Sequence, residues 1–231
     1  ADEVFAVASR RSLGKEVSYG DRTLKCHDIE QFDFTQVDLV LMSAGGATAK
    51  EWAPKIAKAG AITIDNSSAW RMDPDVPLVV PEVNPHVIAT HQGVLASPNC
   101  STIQLVLAMK PLHDAGRIRR VVVSTYQATS GAGRAGERDL EQGTRAALAG
   151  EEYQYDAFSS PIAFNLIPQI GSVRHGGYTS EEMKMVSETQ KIFEDDTIAI
   201  CPTCIRVPVS NCHSESILVE TERKIPVAEA V

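Results

Sequence analysis

The sequence predicts an α/β protein in two parts: an open parallel sheet with helices on its faces, followed by a mixed α+β domain. In the first half, short apolar runs of strand character alternate with helical stretches, an order typical of parallel sheets. In the second half a helix precedes a long strand, which suits an α+β domain. We place the boundary near Cys100, so the predicted domains are 1–100 and 101–231.

The elements of the first half are short. Strands are predicted at 4–8, 24–29, 37–42 and 61–65, a helix at 48–59, and further short apolar runs at 79–80 and 94–96. The strand at 37–42 runs into Ser43-Ala44-Gly45-Gly46, which indicates a tight turn into the helix. A nucleotide-binding sheet of this kind needs a glycine-rich turn after its first strand, to seat a pyrophosphate on a helix N-terminus. None precedes Val4, so we expect truncation there, and also after the helix that begins at Val227.

The second half has longer elements. Helices are predicted at 101–113, 133–148 and 181–193, a strong strand at 118–127, and strand-like alternation at 198–209. Composition is ordinary, with 43% hydrophobic and 23% charged residues in a chain of 231. The net charge of −8 without a basic block argues against nucleic acid or an anionic membrane as partner. An odd count of five cysteines argues against a disulfide scaffold and favours the reducing cytoplasm.

Cys100 is the first candidate for chemistry. It lies in Ser97-Pro98-Asn99-Cys100-Ser101-Thr102, between the end of a strand and the start of an amphipathic helix. The positive end of a helix favours a thiolate, and its free amide groups could hold an oxyanion. The alternative is a buried cysteine that acts as a small hydrophobe.

Arg206 and His213 form the second candidate. On a strand, Arg206 lies on the face opposite Ile205 and Val207, where it could bind a carboxylate through two hydrogen bonds. Along an unbroken strand, the His213 side chain would lie on the face opposite Arg206. The two therefore share a cleft only if the chain bends at Ser210-Asn211. The alternatives are a surface arginine and a core histidine.

Two further patterns are weaker. In Ser180-Glu181-Glu182-Met183-Lys184, Ser180 can cap a helix, and Glu181 and Lys184 share one face, either as substrate-binding groups or as an exposed ion pair. In Ser9-Arg10-Arg11-Ser12, basic and hydroxyl residues follow a strand without an acid, which favours NADP over NAD. We expect no metal site at Cys201-x-x-Cys204, because the strand alternation places these side chains on opposite faces.

Together these segments resemble aspartate-semialdehyde dehydrogenases over essentially the whole chain, and the order and spacing of the motifs carry the resemblance. The matching stretches are 8–15, 65–72, 80–84, 98–102, 126–133, the helix from Glu181 to Lys184, and Arg206 with His213. The family interconverts aspartyl phosphate and aspartate semialdehyde with NADPH as hydride donor, in amino-acid biosynthesis. The resemblance implies a Rossmann-like domain, here without its first strand and glycine loop, a catalytic and dimerisation domain, and a homodimer.

The resemblance also implies residue roles. Cys100 would be the nucleophile that forms a thioacyl enzyme, His213 the general acid/base, Gln127 the residue that orients the intermediate, and Asn99 its neighbour. Substrate binding would fall to Arg206 for the carboxylate, Glu181 for the amino group, and Arg71 with Lys184 for phosphate. Cofactor contacts would come from Ser9, Arg11, Ser12, Ser43, Gly45, Gly46, Ser130, Gly131 and Gly133.

Two alternatives remain open at this stage. The first is a related acyl-phosphate reductase of the N-acetylglutamyl-phosphate type, which shares the thioester chemistry. The predicted Arg206 and Glu181 pair argues against it, since an acetylated amino group needs no carboxylate partner. The second is an inactive fragment or dimerisation module, which the missing cofactor loop favours.

Overall fold

The computed structural model describes residues 3–174 and 176–230, and the chain divides into two compact units. The first unit runs to Pro77 and includes Ala89–Ser97, and the second comprises Leu78–Ile88 and the chain from Pro98 onwards. Short 3₁₀ turns lie at Arg10–Ser12, Phe34–Gln36, Pro85–Thr90 and Thr129–Ala132. No helix in the described ranges is long and apolar enough to cross a membrane.

From residue 3 onwards, the first unit contains six strands and one helix. They are β1 (Ala6–Ala8), β2 (Glu16–Tyr19), β3 (Arg22–Asp28), β4 (Leu39–Met42), α1 (Gly46–Lys58), β5 (Ile62–Asp65) and β6 (Val94–Ala96). Strands β4, β5 and β6 pair in parallel, as do β1 and β3, while β2 pairs antiparallel with β3. The predicted parallel α/β character is confirmed.

Helix α1 packs its small and branched residues against the sheet of β4, β5 and β6, mainly against β5. Ala49, Ala53 and Ile56 are fully buried, and they recur at the spacing of one helix face. Ala49 and Ile56 join a core cluster with Met42 and Phe34. This packing fixes the turn between β4 and α1, in which Gly45 has a φ of +86°, a conformation that glycine tolerates without strain.

In the described part of the second unit, three strands form one sheet, which is accompanied by helices. Its elements are α2 (Cys100–Gly116), β7 (Ile118–Gln127), α3 (Gly133–Ala149), α4 (Ser180–Phe193), β8 (Ala199–Arg206), β9 (Ser214–Thr221) and α5 (Val227–Ala230). The order is β8-β7-β9, with β8 parallel and β9 antiparallel to β7. A helix followed by a mixed sheet confirms the predicted α+β class.

Helices α2 and α4 share a core with one face of this sheet. The cluster joins Leu105 and Met109 of α2, Met185 of α4, Val121 and Val123 of β7, and Cys204 of β8. Because Cys204 lies in the core while Cys201 is exposed, the two cysteines do occupy opposite faces of β8.

The predicted cap of α4 is wrong by one residue. Thr179, not Ser180, is the N-cap, and its hydroxyl accepts a hydrogen bond from the Glu182 backbone. The Glu182 carboxylate accepts the Thr179 N–H in return, at 2.6 Å, which completes a capping box. Ser180 is the first residue of the helix. Glu181 takes no part in this capping box.

Glu215 gives a stability prediction. Among the described residues, both carboxyl oxygens of this β9 side chain are buried without a hydrogen bond of normal geometry. Burial raises its pKa from 4.5 to about 7, although Gln104 nearby offsets part of the rise. The folded protein therefore holds this proton more tightly than the unfolded chain, and the Glu215 contribution to stability falls as pH rises from 4.5 to about 7.

We expect Glu215→Gln to be more stable than the parent above about pH 7, because glutamine carries no charge to desolvate. Discounted for partial exposure, the gain in the free energy of unfolding is about 1 kcal/mol. Urea unfolding at pH 8 and near pH 4 measures it, and the difference should vanish at the lower pH. An equal difference at both pH values would show that charge burial is not the cause.

Candidate active site

The start of α2 places Cys100 at the centre of a cluster of polar side chains. Asn99 is the N-cap, and its side-chain oxygen accepts the Ser101 backbone N–H at 3.0 Å. Cys100 is the first helical residue and remains open to solvent. The helix begins one residue earlier than predicted, and the alternative of a buried cysteine is wrong.

Two carboxylates of α4 hold Asn99. Glu188 accepts its backbone N–H at 2.6 Å, and Glu181 accepts its side-chain amide at 2.8 Å. The two acids are seven residues apart, which places them on one face of the helix. Glu188 is only 1% exposed and was not among the predicted site residues, although its spacing from Glu181 was a signal in the sequence. Helix α4 thus positions the residue that precedes the nucleophile.

His213 lies directly against the thiol. Its Nε2 is 3.2 Å from Cys100 Sγ, and its Nδ1 accepts the Ala128 backbone N–H at 3.0 Å. The chain leaves β8 after Arg206 and turns before β9, and Cys212 has a φ of +69° in that turn. A bend before His213 was the condition for His213 and Arg206 to share a cleft. The alternative of a core histidine is wrong, because the ring reaches Cys100.

Gln127 and Arg206 face the same cluster from the ends of neighbouring strands. They are register partners at the last positions of β7 and β8. Gln127 donates to Ser101 Oγ at 2.9 Å, and Arg206 donates to the Ala128 carbonyl at 2.6 Å. Arg206 is only 6% exposed, so the alternative of a surface arginine is wrong. Among the described residues this is the one hydrogen bond of its guanidinium, which leaves a planar edge for a carboxylate.

The pKa of the thiol moves in the direction opposite to the prediction. Although Cys100 is reached by solvent, the protein around it partly desolvates the sulfur and so raises its pKa, and the negative charge of Glu181 raises it further. The Ser101 N–H at the helix start and the Arg206 charge lower it, but not enough to compensate. The helix terminus therefore moderates the pKa rather than setting it, and the resting residue is a thiol at neutral pH.

Glu181 is anionic despite its burial. Burial opposes its ionisation, but the Lys184 charge and hydrogen bonds from Lys184, Asn99 and Gln127 together bring its pKa below the ordinary value. Lys184 Nζ lies 3.1 Å from Glu181 Oε2. Glu181 is only 6% exposed, so this is a half-buried pair at the site rather than the exposed surface pair of the alternative.

Gly131 fits tightly between two of these residues. A Cβ at this position would lie 2.9 Å from Arg206 Nη1 and 3.2 Å from the His213 ring. Such distances are shorter than normal contacts, and Arg206 is pinned by its bond to Ala128. Gly131 therefore gives clearance that lets Arg206 and His213 converge, in addition to the cofactor contact that the resemblance implies.

We expect Gly131→Ala to lower kcat/KM by about tenfold, because displaced reacting groups lose much of their effect. Steady-state kinetics should show a raised KM for the substrate whose carboxylate Arg206 is predicted to bind, and an unchanged KM for the predicted cofactor. A rise confined to the cofactor KM would contradict the clearance role. Thermal stability should change little, since Gly131 does not need a positive φ.

Ser130 and Gly133 flank Gly131 in the turn before α3. Ser130 donates its N–H to the Ser210 carbonyl at 3.1 Å, and Gly133 has a φ of +72°. Helix α3 starts at Gly133 without a side-chain cap, which leaves first-turn N–H groups for other acceptors. The second unit thus brings together Asn99, Cys100, Gln127, Gly131, Glu181, Lys184, Arg206 and His213.

The remaining predicted residues belong to the first unit. Ser9 and Arg11 are exposed and Ser12 is half-buried, in the 3₁₀ turn that follows β1. Ser43, Gly45 and Gly46 form the turn between β4 and α1, whose N-terminus also lacks a side-chain cap. Both turns follow the carboxyl end of a parallel strand, where open α/β sheets bind ligands.

Arg71 is buried and spans two stretches of backbone. Its Nε donates to the Ser97 carbonyl at 2.9 Å and its Nη2 to the Asn66 carbonyl at 3.0 Å. It therefore anchors the chain just before Pro98, and its predicted role at phosphate stays a prediction. No three His, Cys, Asp or Glu side chains of residues 3–174 and 176–230 converge to hold a metal ion.

Comparison with known proteins finds one family in both units. Residues 1–91 match the model of the semialdehyde dehydrogenase NAD binding domain, and residues 109–231 match that of the semialdehyde dehydrogenase dimerisation domain. The chain is 49% identical to aspartate-semialdehyde dehydrogenase 2 of Vibrio cholerae serotype O1, covering 100% of this chain and 69% of the relative. It is 51% identical to the aspartate-semialdehyde dehydrogenase of Aquifex aeolicus, covering 99% and 68%.

A solved structure of the same family is similar to this chain along nearly its whole length. The crystal structure of aspartate semialdehyde dehydrogenase II from Vibrio cholerae, complexed with ASA, superposes with a TM-score of 0.96 at 48% identity. The superposition covers 99% of this chain and 69% of that one.

Proposed function

The chain belongs to the aspartate-semialdehyde dehydrogenase family, and on that premise we propose how its residues carry out the family's reaction. The reaction is the reductive dephosphorylation of aspartyl phosphate to aspartate semialdehyde. The observation that carries the proposal is Cys100 at the start of α2, with His213 Nε2 at 3.2 Å from its sulfur and Arg206 and Glu181 buried beside it.

Cys100 is the nucleophile of this scheme. Its thiol loses a proton, the sulfur forms a bond to the acyl carbon, and the carbon–oxygen bond to phosphate breaks as phosphate leaves with the electron pair. The product is a thioester on Cys100. NADPH, when bound, supplies the hydride that reduces the acyl group to the aldehyde level. We assign His213 as the general acid/base, whose Nε2 exchanges protons with the sulfur and with the substrate oxygen.

The two charges of the amino-acid head group have matching partners. Arg206 presents its guanidinium edge to the α-carboxylate, and Glu181 is an anionic acceptor for the α-ammonium group. An N-acetylated substrate would offer Glu181 no ammonium group to bind, which opposes the N-acetylglutamyl alternative. Lys184 and Arg71 are assigned to phosphate, while Gln127 and Asn99 orient the reacting groups around Ser101 and Glu181.

The first unit fits NADP rather than NAD. The turn after β1 offers Ser9, Arg11 and Ser12 to a 2′-phosphate, and that turn contains no acid for a ribose hydroxyl. The uncapped start of α1 offers backbone N–H groups to a phosphate, with Ser43, Gly45 and Gly46 in the preceding turn. Ser130, Gly131 and Gly133 of the second unit contribute backbone contacts.

We assign the homodimer contact to the open face of the second unit's sheet. This face carries Tyr126 of β7 and Leu218 of β9, which are 41% and 55% exposed. Exposed cysteine Cys201 lies beside them on β8. A second copy is the fitting occupant, because this segment matches the family's dimerisation domain. All five cysteines are free thiols, which supports a reducing cytoplasm.

A substrate panel tests the proposal. NADPH formation is followed with aspartate semialdehyde and phosphate, in parallel with the N-acetylglutamate analogue, and with NAD in place of NADP. We expect turnover of aspartate semialdehyde only, with NADP preferred, and dependence on Cys100. Turnover of the N-acetylated substrate alone would overturn the substrate assignment, and a preference for NAD would overturn the cofactor assignment.

A further inference from the structure

Phe158 is an aromatic side chain that lies against Arg206 and has no part in the scheme above. The guanidinium carbon of Arg206 lies over the Phe158 ring, 6.0 Å from its centroid. A guanidinium is attracted to the negative face of an aromatic ring, and the attraction is stronger where water is excluded. Arg206 is only 6% exposed, so this contact lies in partly desolvated surroundings.

Helix α3 holds the backbone that leads to Phe158. Asp139 of this helix is fully buried, and its carboxylate accepts the N–H groups of Asp156 at 2.9 Å and of Ala157 at 2.7 Å. It also accepts the Tyr153 hydroxyl at 3.1 Å. One carboxylate therefore fixes the two residues that immediately precede Phe158.

Two glycines on the same face of α3 make room for this segment. Gly136 and Gly143 lie three and four residues from Asp139, which is the spacing of one helix face. A Cβ at Gly136 would lie 3.2 Å from Phe158 Cζ, and one at Gly143 would lie 2.8 Å from Tyr155 Cζ. Both distances are shorter than normal contacts. The Phe158 ring is thus held in place by α3 as well as by Arg206.

We propose that Phe158 is a positioning residue, which stacks on Arg206 and holds its guanidinium in the plane that meets the substrate α-carboxylate. The inference rests on the proposed function and adds to it a determinant of specificity for substrates that carry this carboxylate.

The need for such a residue follows from the contacts of Arg206. Its Nη1 donates to the Ala128 carbonyl at 2.6 Å, which anchors one end of the guanidinium but leaves the plane able to turn about that bond. A carboxylate that accepts two parallel hydrogen bonds requires the plane to be fixed. The face of the Phe158 ring restricts this rotation, so that less freedom is lost when the substrate binds.

Phe158→Leu removes the ring and keeps an apolar side chain, and it is tested in the full enzyme by steady-state kinetics. We expect the KM for aspartate semialdehyde to rise about fivefold with kcat within about twofold of the parent, as for loss of a partly desolvated cation–π contact. For 3-aminopropanal, which lacks the carboxylate, kcat/KM should stay within about twofold. An unchanged KM, or an equal loss for both substrates, would overturn the proposal.

A second variant keeps the shape of the side chain and changes only its electronics. Incorporation of 3,5-difluorophenylalanine at position 158 weakens the negative face of the ring with little change in its size. The KM for aspartate semialdehyde should then lie between those of the parent and of Phe158→Leu. A KM equal to that of the parent would show that bulk alone holds the arginine, and would contradict stacking.

Binding of the head group is also measured without turnover. L-2-Aminobutyrate carries the same ammonium and carboxylate groups as aspartate semialdehyde and has no aldehyde, and its binding is followed as protection of Cys100 from iodoacetamide. Half-protection should require about fivefold more ligand in Phe158→Leu than in the parent. Equal protection of both proteins, or no protection of the parent, would overturn the inference. If the parent nevertheless turns over aspartate semialdehyde, the proposed function stands; if the substrate panel fails, protection still tests the stacking.

Discussion

Cys100→Ala should abolish turnover of aspartate semialdehyde, with kcat lower by at least about 10⁴-fold, because the thioester of the proposed scheme forms on the Cys100 sulfur. Cys100→Ser should retain only a trace, since an alcohol is a much weaker acid than a thiol and forms its nucleophilic anion far less readily. Steady-state assays of NADPH formation measure both variants. A loss of less than about 100-fold in the alanine variant would show that the bond-forming group lies elsewhere.

Both Cys100 variants should fold as stably as the parent. Cys100 is open to solvent, so its truncation leaves no buried cavity, and the melting temperature should stay within a few degrees of the parent. Alkylation with iodoacetamide gives an independent readout of the parent thiol. Because burial and Glu181 raise its pKa, the reaction should accelerate up to a pH above the ordinary thiol range. Saturation below neutral pH would contradict a raised pKa.

Local sequence signals predicted the parts of the site that local structure builds. The helix that starts at Cys100 and the strand that ends at Gln127 follow from apolar periodicity, and the family motifs named Arg206 and His213. The alternation of side chains along a strand also indicated that the chain must bend before His213 if His213 and Arg206 are to lie together. A local motif does not show which side chain from a distant part of the sequence will contact it.

Glu188 illustrates that limit. Its carboxylate acts on the Asn99 backbone, a contact across 89 positions of sequence. From sequence alone, a glutamate on a helix is expected to be exposed to solvent, because this residue type is rarely buried. The error over the Cys100 pKa has the same origin, because the helix terminus is a local feature, whereas desolvation and the Glu181 charge are consequences of packing.

Two strands were also missed, for reasons of pattern. Every residue of β2 is exposed, so the strand has no apolar alternation to detect, although the two-residue Gly20-Asp21 loop was a hairpin signal. In β9 the buried face includes Glu215, and the exposed face includes Leu218. A charge inside and a leucine outside reverse the usual pattern, and the leucine lies on the face that we assign to a second copy.

Arg206→Leu is the second large loss that we expect, about 10³-fold in kcat/KM for aspartate semialdehyde, carried mainly by KM. A buried guanidinium that pairs with a carboxylate contributes several charge-assisted hydrogen bonds, and its removal leaves the substrate charge unpaired. Arg206→Lys keeps the charge but loses the planar fork, so it should recover only part of the loss. The substrate lacking the carboxylate, 3-aminopropanal, is the control, and Arg206→Leu should leave its kcat/KM within a few-fold.

The pH dependence of thiol alkylation distinguishes the effect of the Arg206 charge from the effect of its planar guanidinium. The arginine charge lowers the pKa of Cys100, so the leucine variant should shift thiol alkylation to higher pH, while the lysine variant should stay close to the parent. If Arg206 binds the substrate carboxylate, KM should rise in both variants, but the pH dependence of thiol alkylation should shift only in the leucine variant. If leucine impaired 3-aminopropanal as severely as aspartate semialdehyde, Arg206 would act on Cys100 and His213 alone, and the carboxylate would need another partner.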